Sequence, residues 1–434
     1  MTSLNPTARA ECNPISSGSA VVCQKAIQKG ETRFLSYGRQ HISEEDIQAV
    51  ENVLRSDWLT QGPTIEAFEK DLGGFLGAHH VVACSSGTAA LHLAMLALGI
   101  GAGDEVVTTP NTFLASANCA RFVGADVRFA DIDATTGLMD LNSLSAVLEA
   151  DRKKKIKVVI PVHFAGQPVE LPQIYGLAKT HGAWVVDDAC HALGAEYHHK
   201  RQWYRVGSGP HSDMTVFSFH PVKHVAMGEG GAITTHDRQL TDRLCRFRTH
   251  GAQKEQFEYA EMAFSPEGVR NPWYYEMHEL GYNYRLTDIQ AALGRSQLKR
   301  LSWSLERRNR LAAIYCRLIR ECFSNGDIRT LTLLPDRKHA YHLFVVLIDF
   351  ERFGVSRAVV MNHLIRAGVG TQVHYIPVHL QPYYRNRYGT SPGDFPQAEL
   401  YYTRALSLPM YPDLSEEDIE RVVRELKNAL LVGR

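Results

Sequence analysis

The sequence predicts an α/β protein: a large domain built on a mostly parallel sheet, followed by a smaller α+β domain. Three observations carry that expectation. From residue 80 onward, short β-branched runs alternate with helical runs, which is the pattern of a parallel sheet covered by helices on both faces. Polar, chemistry-bearing segments follow the strand runs, where ligands of such sheets collect. The chain has 434 residues, 44% of them hydrophobic, enough for one large core and a companion.

The elements follow in order. Residues 1–33 mix Ser, Gly, Asn and Thr without a sustained period and read as a flexible extension. Ser43 and Asp46 form a capping box, and Ile47, Val50, Val53 and Leu54 share one face of the helix behind it, a face expected to pack on a core. Val81-Val82 begins the alternation, with helices over 89–98 and 114–122 and strands over 105–108 and 127–129. Further strands are expected over 156–162, 183–186 and 214–219. A helical spacing over 287–301, with Ile289, Leu293 and Leu298, marks the passage between a large domain (34–294) and a small one (295–434).

Composition excludes several classes. With 47 basic and 47 acidic residues the formal net charge is zero, so no overall field draws in nucleic acid or an anionic membrane. The eight cysteines form no CxxC pair, unlike a zinc site or a disulfide framework, and read as reduced cytosolic thiols. No apolar run approaches the roughly 18 residues of a membrane span, and the N-terminus lacks a leader pattern. A cytoplasmic protein with a small-molecule partner is expected.

Three segments carry chemistry. Ser85-Ser86-Gly87-Thr88-Ala89 follows a strand and opens a helix, so its free amides either are capped locally or receive a phosphate. Asp187-Asp188 ends the strand at 183–186, followed by Cys190-His191. Adjacent residues of a strand point to opposite faces, so only one carboxylate can face a pocket, where it would suit a cationic partner. Lys223 follows Ser218-Phe219-His220-Pro221 and precedes the glycine turn at Gly228; it is either a solvated charge or, beside those acids, a reactive amine. Gly281-Tyr282-Asn283-Tyr284-Arg285, His374-Tyr375 and His379 are compatible with ordinary loop and structural roles.

Taken together, from about Tyr37 to Leu426, these segments resemble the sugar-nucleotide aminotransferases of the DegT/DnrJ/EryC family. The matching motifs are Ser86-Gly87-Thr88-Ala89-Ala90-Leu91, Gly103-Asp104-Glu105-Val106-Val107, Asp187-Asp188-Ala189, Ser218 through Lys223, and Gly281 through Arg285. Within the family, the segments at 56–63, 374–381 and 406–412 are most similar to the pseudaminic-acid-pathway transaminases, which aminate C4 of a UDP-linked 4-keto-6-deoxy-N-acetylhexosamine. Ala226-Met227 departs from the hydroxyl-bearing residues of the pattern, and the extension before Phe34 is not part of it.

The resemblance implies the type I fold of pyridoxal-phosphate enzymes and a division of roles. Lys223 would hold pyridoxal 5'-phosphate covalently, Asp188 would pair with its pyridine nitrogen, and His191 would lie near its phenolic oxygen. Gly87, Thr88, Ala89 and Ser218 would bind the phosphate and Phe113 would stack on the ring. Asn283 would reach the cofactor phosphate of a neighbouring subunit, which makes the active unit a homodimer. His220, Arg285, His374 and Tyr375 would contact the sugar nucleotide, with glutamate as amino donor and no metal.

Rival readings are weaker on the same residues. A dehydratase of this fold replaces the lysine by histidine, whereas Lys223 is present. A non-catalytic sugar-nucleotide sensor would tolerate loss of Lys223 or Asp188, and both are there. A Rossmann dehydrogenase needs a glycine fingerprint after its first strand, which Ser85-Ser86-Gly87-Thr88 does not supply.

Overall fold

The protein is described by a computed structural model that covers residues 33–323 and 326–431. The extension expected over 1–33 therefore lies, apart from Arg33, outside the described residues. From Leu35 onward the chain forms one compact unit.

Its centre is a seven-stranded sheet of β1 (His80–Cys84), β2 (Glu105–Thr108), β3 (Asp126–Phe129), β4 (Ile156–Val159), β5 (Trp184–Asp188), β6 (Met214–Ser218) and β7 (Gly231–Thr235). The spatial order is β1-β7-β6-β5-β4-β2-β3. Only β7 runs against the others, pairing antiparallel with both β1 and β6. Successive strand residues enter different cores: Val82, Val106, Val186 and Val216 pack on one face, and Ala83, Val107, Val185 and Phe217 on the other. Burial on both faces is what makes these strands near-continuous apolar runs.

Three expectations are corrected. The strand begun at Ile156 ends at Val159, and only Val162 rejoins the sheet, as an isolated bridge to Asp188. Strand β7 is not among the expected strands, because its first residue, Gly231, is counted with the glycine turn at 228–231. The helix Glu44–Leu54 has the expected capping box, but it does not bury the expected apolar face. Ile47 and Leu54 are exposed, while Asp46 and Val53 are buried. The helix is held instead through Asp46, which accepts from Gln297 Nε2 at 2.7 Å and pairs with Arg300.

Position 295 falls within the helix Asp288–Lys299, which packs on Glu44–Leu54 and Pro63–Leu76. Beyond it a three-stranded antiparallel sheet, Ile328–Thr330, Phe344–Ile348 and Ala405–Leu408, shares a separate core with the helices Leu301–Cys322 and Glu416–Leu431. Among the described residues no helix is long and apolar enough to cross a membrane, and the six described cysteines are free.

Candidate active site

The carboxyl ends of β5 and β6 lie side by side, with Asp187 opposite Thr215 and Asp188 opposite Val216. The two aspartates point to opposite faces, as strand geometry requires. Asp187 is fully buried, accepts from Thr215 Oγ1 at 3.2 Å and lies 3.6 Å from His163 Nε2; burial raises its carboxyl pKa. Asp188 turns the other way. Its Oδ2 accepts from Ser116 Oγ at 2.6 Å and its Oδ1 from the Cys190 amide at 3.1 Å, so both oxygens are fixed.

Lys223 stands in the same space. Its backbone N–H donates to the His220 carbonyl at 2.8 Å, closing the turn that brings the side chain back beneath β6. Nζ lies 3.5 Å from His342 Nε2. Burial lowers the amine's pKa, opposed by the negative charge of Asp188. A neutral amine, which is the nucleophilic form, is thereby favoured.

Histidines surround that amine. The His191 and His342 rings are 4.4 Å apart, those of His342 and His224 5.6 Å, and burial drives all three well below the usual imidazole range. They are neutral polar walls, not cations. Tyr375 Oη is 3.1 Å from His191 Nε2, and Phe113, largely exposed, sets its ring 6.1 Å from that of Tyr375. His374 is turned into the fold, with Nδ1 2.8 Å from Ser407 Oγ, and burial takes its pKa down to about 3.

The helix Gly87–Ala97 starts against this cluster. A Cβ on Gly87 would stand 2.9 Å from Ser218 Cβ, so only glycine lets the helix terminus reach the end of β6. One of the three amides assigned to a phosphate is occupied: Ala89 N–H donates to Ser86 Oγ at 3.0 Å as a helix cap. Gly87 and Thr88, in the first turn, and the Ser218 hydroxyl remain to form an anion cradle. His220 is exposed, Arg285 half-buried, and Asn283 is exposed on a strand bridge to Thr249.

Sequence reasoning missed Ser116, His342 and His224. Ser116 lies 72 positions from Asp188, and His342 lies 119 positions from Lys223. Nothing local distinguishes them.

A buried amine beside a fixed carboxylate, with the first turn of a helix next to them, is an arrangement suited to carbonyl chemistry on a lysine-bound, phosphorylated cofactor. The residues fit pyridoxal phosphate: the cradle suits its phosphate, Asp188 its ring nitrogen, and the buried Nδ1 atoms of His191 and His342 have no partner among the described residues. The family model for DegT/DnrJ/EryC1/StrS aminotransferases matches residues 40–427, and the chain belongs to that family. It is a pyridoxal-phosphate-dependent sugar aminotransferase. The chain is 40% identical over 396 residues to the spore coat polysaccharide biosynthesis protein SpsC of Bacillus subtilis, covering 91% of this chain and 97% of that protein. Among solved structures, Helicobacter pylori PseC, an aminotransferase involved in the biosynthesis of pseudoaminic acid, superposes with a TM-score of 0.80 at 30% identity, covering 92% and 99% of the two chains. The PLP form of the sugar aminotransferase Spr1654 from Streptococcus pneumoniae gives 0.80 at 26% identity, covering 92% and 100%.

Proposed function

We propose that the protein transfers an amino group, from glutamate, to C4 of a UDP-linked 4-keto-6-deoxy-N-acetylhexosamine in the cytoplasm, as a step in pseudaminic acid or related amino-sugar synthesis. The observation that carries the reaction is Lys223 Nζ in a pocket walled by neutral histidines and shared with the fixed carboxylate of Asp188. The substrate rests on the likeness to PseC.

Pyridoxal phosphate, when bound, supplies an aldehyde carbon and an electron-withdrawing ring. Lys223 holds it covalently in the resting enzyme. The free Nζ would be the group that takes a proton from the donor's α-carbon and gives one to C4 of the sugar. Asp188 keeps the pyridine nitrogen protonated, held in place by Ser116 and the Cys190 amide. Gly87, Thr88 and Ser218 receive the phosphate. The Ala89 amide is taken by the Ser86 cap and is not part of the cradle. Phe113 would cover one ring face, and His191, held by Tyr375, would lie near the phenolic oxygen. His220, Arg285 and Tyr375 would border the sugar nucleotide, whereas His374, turned into the fold against Ser407, would not. Asn283 reaches the cofactor phosphate of a second subunit in a homodimer, consistent with its exposure in the single chain.

The test is incubation with glutamate and a panel of UDP- and dTDP-linked 4-keto sugars, with mass spectrometry of the products. The proposal expects amination of the UDP-linked 4-keto-6-deoxy-N-acetylhexosamine with the highest kcat/KM. A clear preference for a dTDP-linked 4-keto hexose would assign a different substrate.

A further inference from the structure

Behind Lys223, on the side of the helix Leu301–Cys322, lies a small cavity of about 20 Å³. Among the residues lining it are Arg39, Lys223, His224, Arg300, Trp303 and Arg308, and none of its lining residues is acidic. Two acids reach its rim from outside: Asp46 pairs with Arg300, and Asp413 lies 2.5 Å from His41 Nδ1. Asp188 faces Lys223 from the opposite side.

Arg308 is the unusual member. Its side chain is 1% exposed, and Nη1 donates to the carbonyls of Tyr341, Met410 and His342 at 3.0, 3.1 and 3.5 Å. No carboxylate pairs with it among the described residues, and its Nε has no hydrogen-bond partner there. The buried Nε of Arg300 is likewise without a partner, and Arg39 meets no acid among the described residues. Carbonyl dipoles satisfy part of a guanidinium's hydrogen bonding but do not neutralise its charge, and an uncompensated buried charge is costly. Burial accordingly pulls Arg308 down to about 10.

We propose that this cavity is a binding site for one small monatomic anion, a halide, held between Arg308, Arg39 and Arg300 behind Lys223. The volume suits it, since a cavity of this size admits about one water-sized group. Three arginines line it, and charge-assisted hydrogen bonds to guanidinium groups are the strong kind. Phosphate and sulfate, larger and more highly charged, are disfavoured by the same volume.

Crystals of the full-length protein with its cofactor, soaked in sodium bromide, test the location. An anomalous bromide peak between Arg308 and Arg39 is expected; peaks elsewhere with none in this cavity overturn the proposal. In solution, thermal unfolding is followed as sodium bromide replaces sodium gluconate, whose anion is too large to enter. A saturable rise in Tm is expected, with half-saturation shifted upward roughly tenfold in Arg39→Ala, as loss of one charge-assisted contact implies. Arg308→Met should abolish the response if it folds, and Arg39→Ala, altering an exposed side chain, carries the test if it does not. A response identical in wild type and Arg39→Ala overturns the proposal. Repeating the titration with acetate is the size control: saturation by bromide alone is expected, and saturation by acetate with the same Arg39 dependence overturns the halide assignment.

Discussion

Ser116 Oγ donates a 2.6 Å hydrogen bond to Asp188 Oδ2 within a buried cluster, and the Cys190 amide holds the other carboxylate oxygen. The carboxylate cannot rotate away from the pocket without losing both bonds. Its neighbour Asp187 is bound to Thr215 on the opposite face, so the two adjacent acids are separable by mutation.

Asp188→Asn keeps the shape but removes the charge that, in the proposed role, would hold a pyridine nitrogen protonated. Turnover should fall on the order of a hundred- to a thousandfold, the scale of losing a preorganised electrostatic contact. Asp187→Asn should keep near-normal turnover and show its effect as a lowered Tm. Steady-state kinetics of both variants, with unfolding curves, check the assignment; the reverse pattern would make Asp187 the functional acid.

Lys223 should be deprotonated at lower pH than the ordinary lysine value of about 10.4, because burial disfavours its cationic form. Above the depressed pKa the amine is free, and below it the amine is protonated. In cofactor-free protein, an amine-acylating reagent should therefore label Lys223 with a pH midpoint below that of surface lysines, read by peptide mass spectrometry. Asp188 opposes the depression, so Asp188→Asn should move the midpoint further down. With cofactor bound, borohydride reduction should leave its mark on Lys223 alone.

Gly87→Ala would place a Cβ 2.9 Å from Ser218 Cβ and 3.2 Å from Cys190 Sγ. Overpacking of this kind costs about 1–3 kcal/mol. The helix terminus must also back away from Ser218, which should weaken cofactor binding at least tenfold. Fluorescence titration with pyridoxal phosphate measures it, and unchanged affinity would place the phosphate elsewhere.

If Asn283 serves the neighbouring subunit, Lys223→Ala and Asn283→Asp should each be nearly inactive alone yet complement when mixed. A mixed dimer rebuilds one site and places both lesions in the other. Random reassortment makes about half the dimers mixed, so activity should recover to roughly a quarter of wild type, as a two-fold interface requires. Background activity, with subunit exchange confirmed by differently tagged chains, would put both residues in one chain's site.

Much of the site was legible because strand geometry is local. The ends of β5 and β6 follow from β-branched runs, and period-two alternation alone separates Asp187 from Asp188. Lys223 stood out only in company with them. The helix Glu44–Leu54 shows the opposite case: its apolar spacing suggested a buried face, but a polar anchor at Asp46 decided which side turns inward.

The sequence by itself determined the alternation of elements, the strand-end placement of Asp188 and Ser218, with Lys223 in the turn that follows, and the family, since each depends on neighbours within a few residues or on motif order. Only the tertiary structure decided that Ser116 holds Asp188, that His342 faces Lys223, and that Arg308 is buried without an acidic partner among the described residues. Those relations join residues far apart in the chain, where burial and pairing are set by how sheet and helices pack, and no local pattern encodes them.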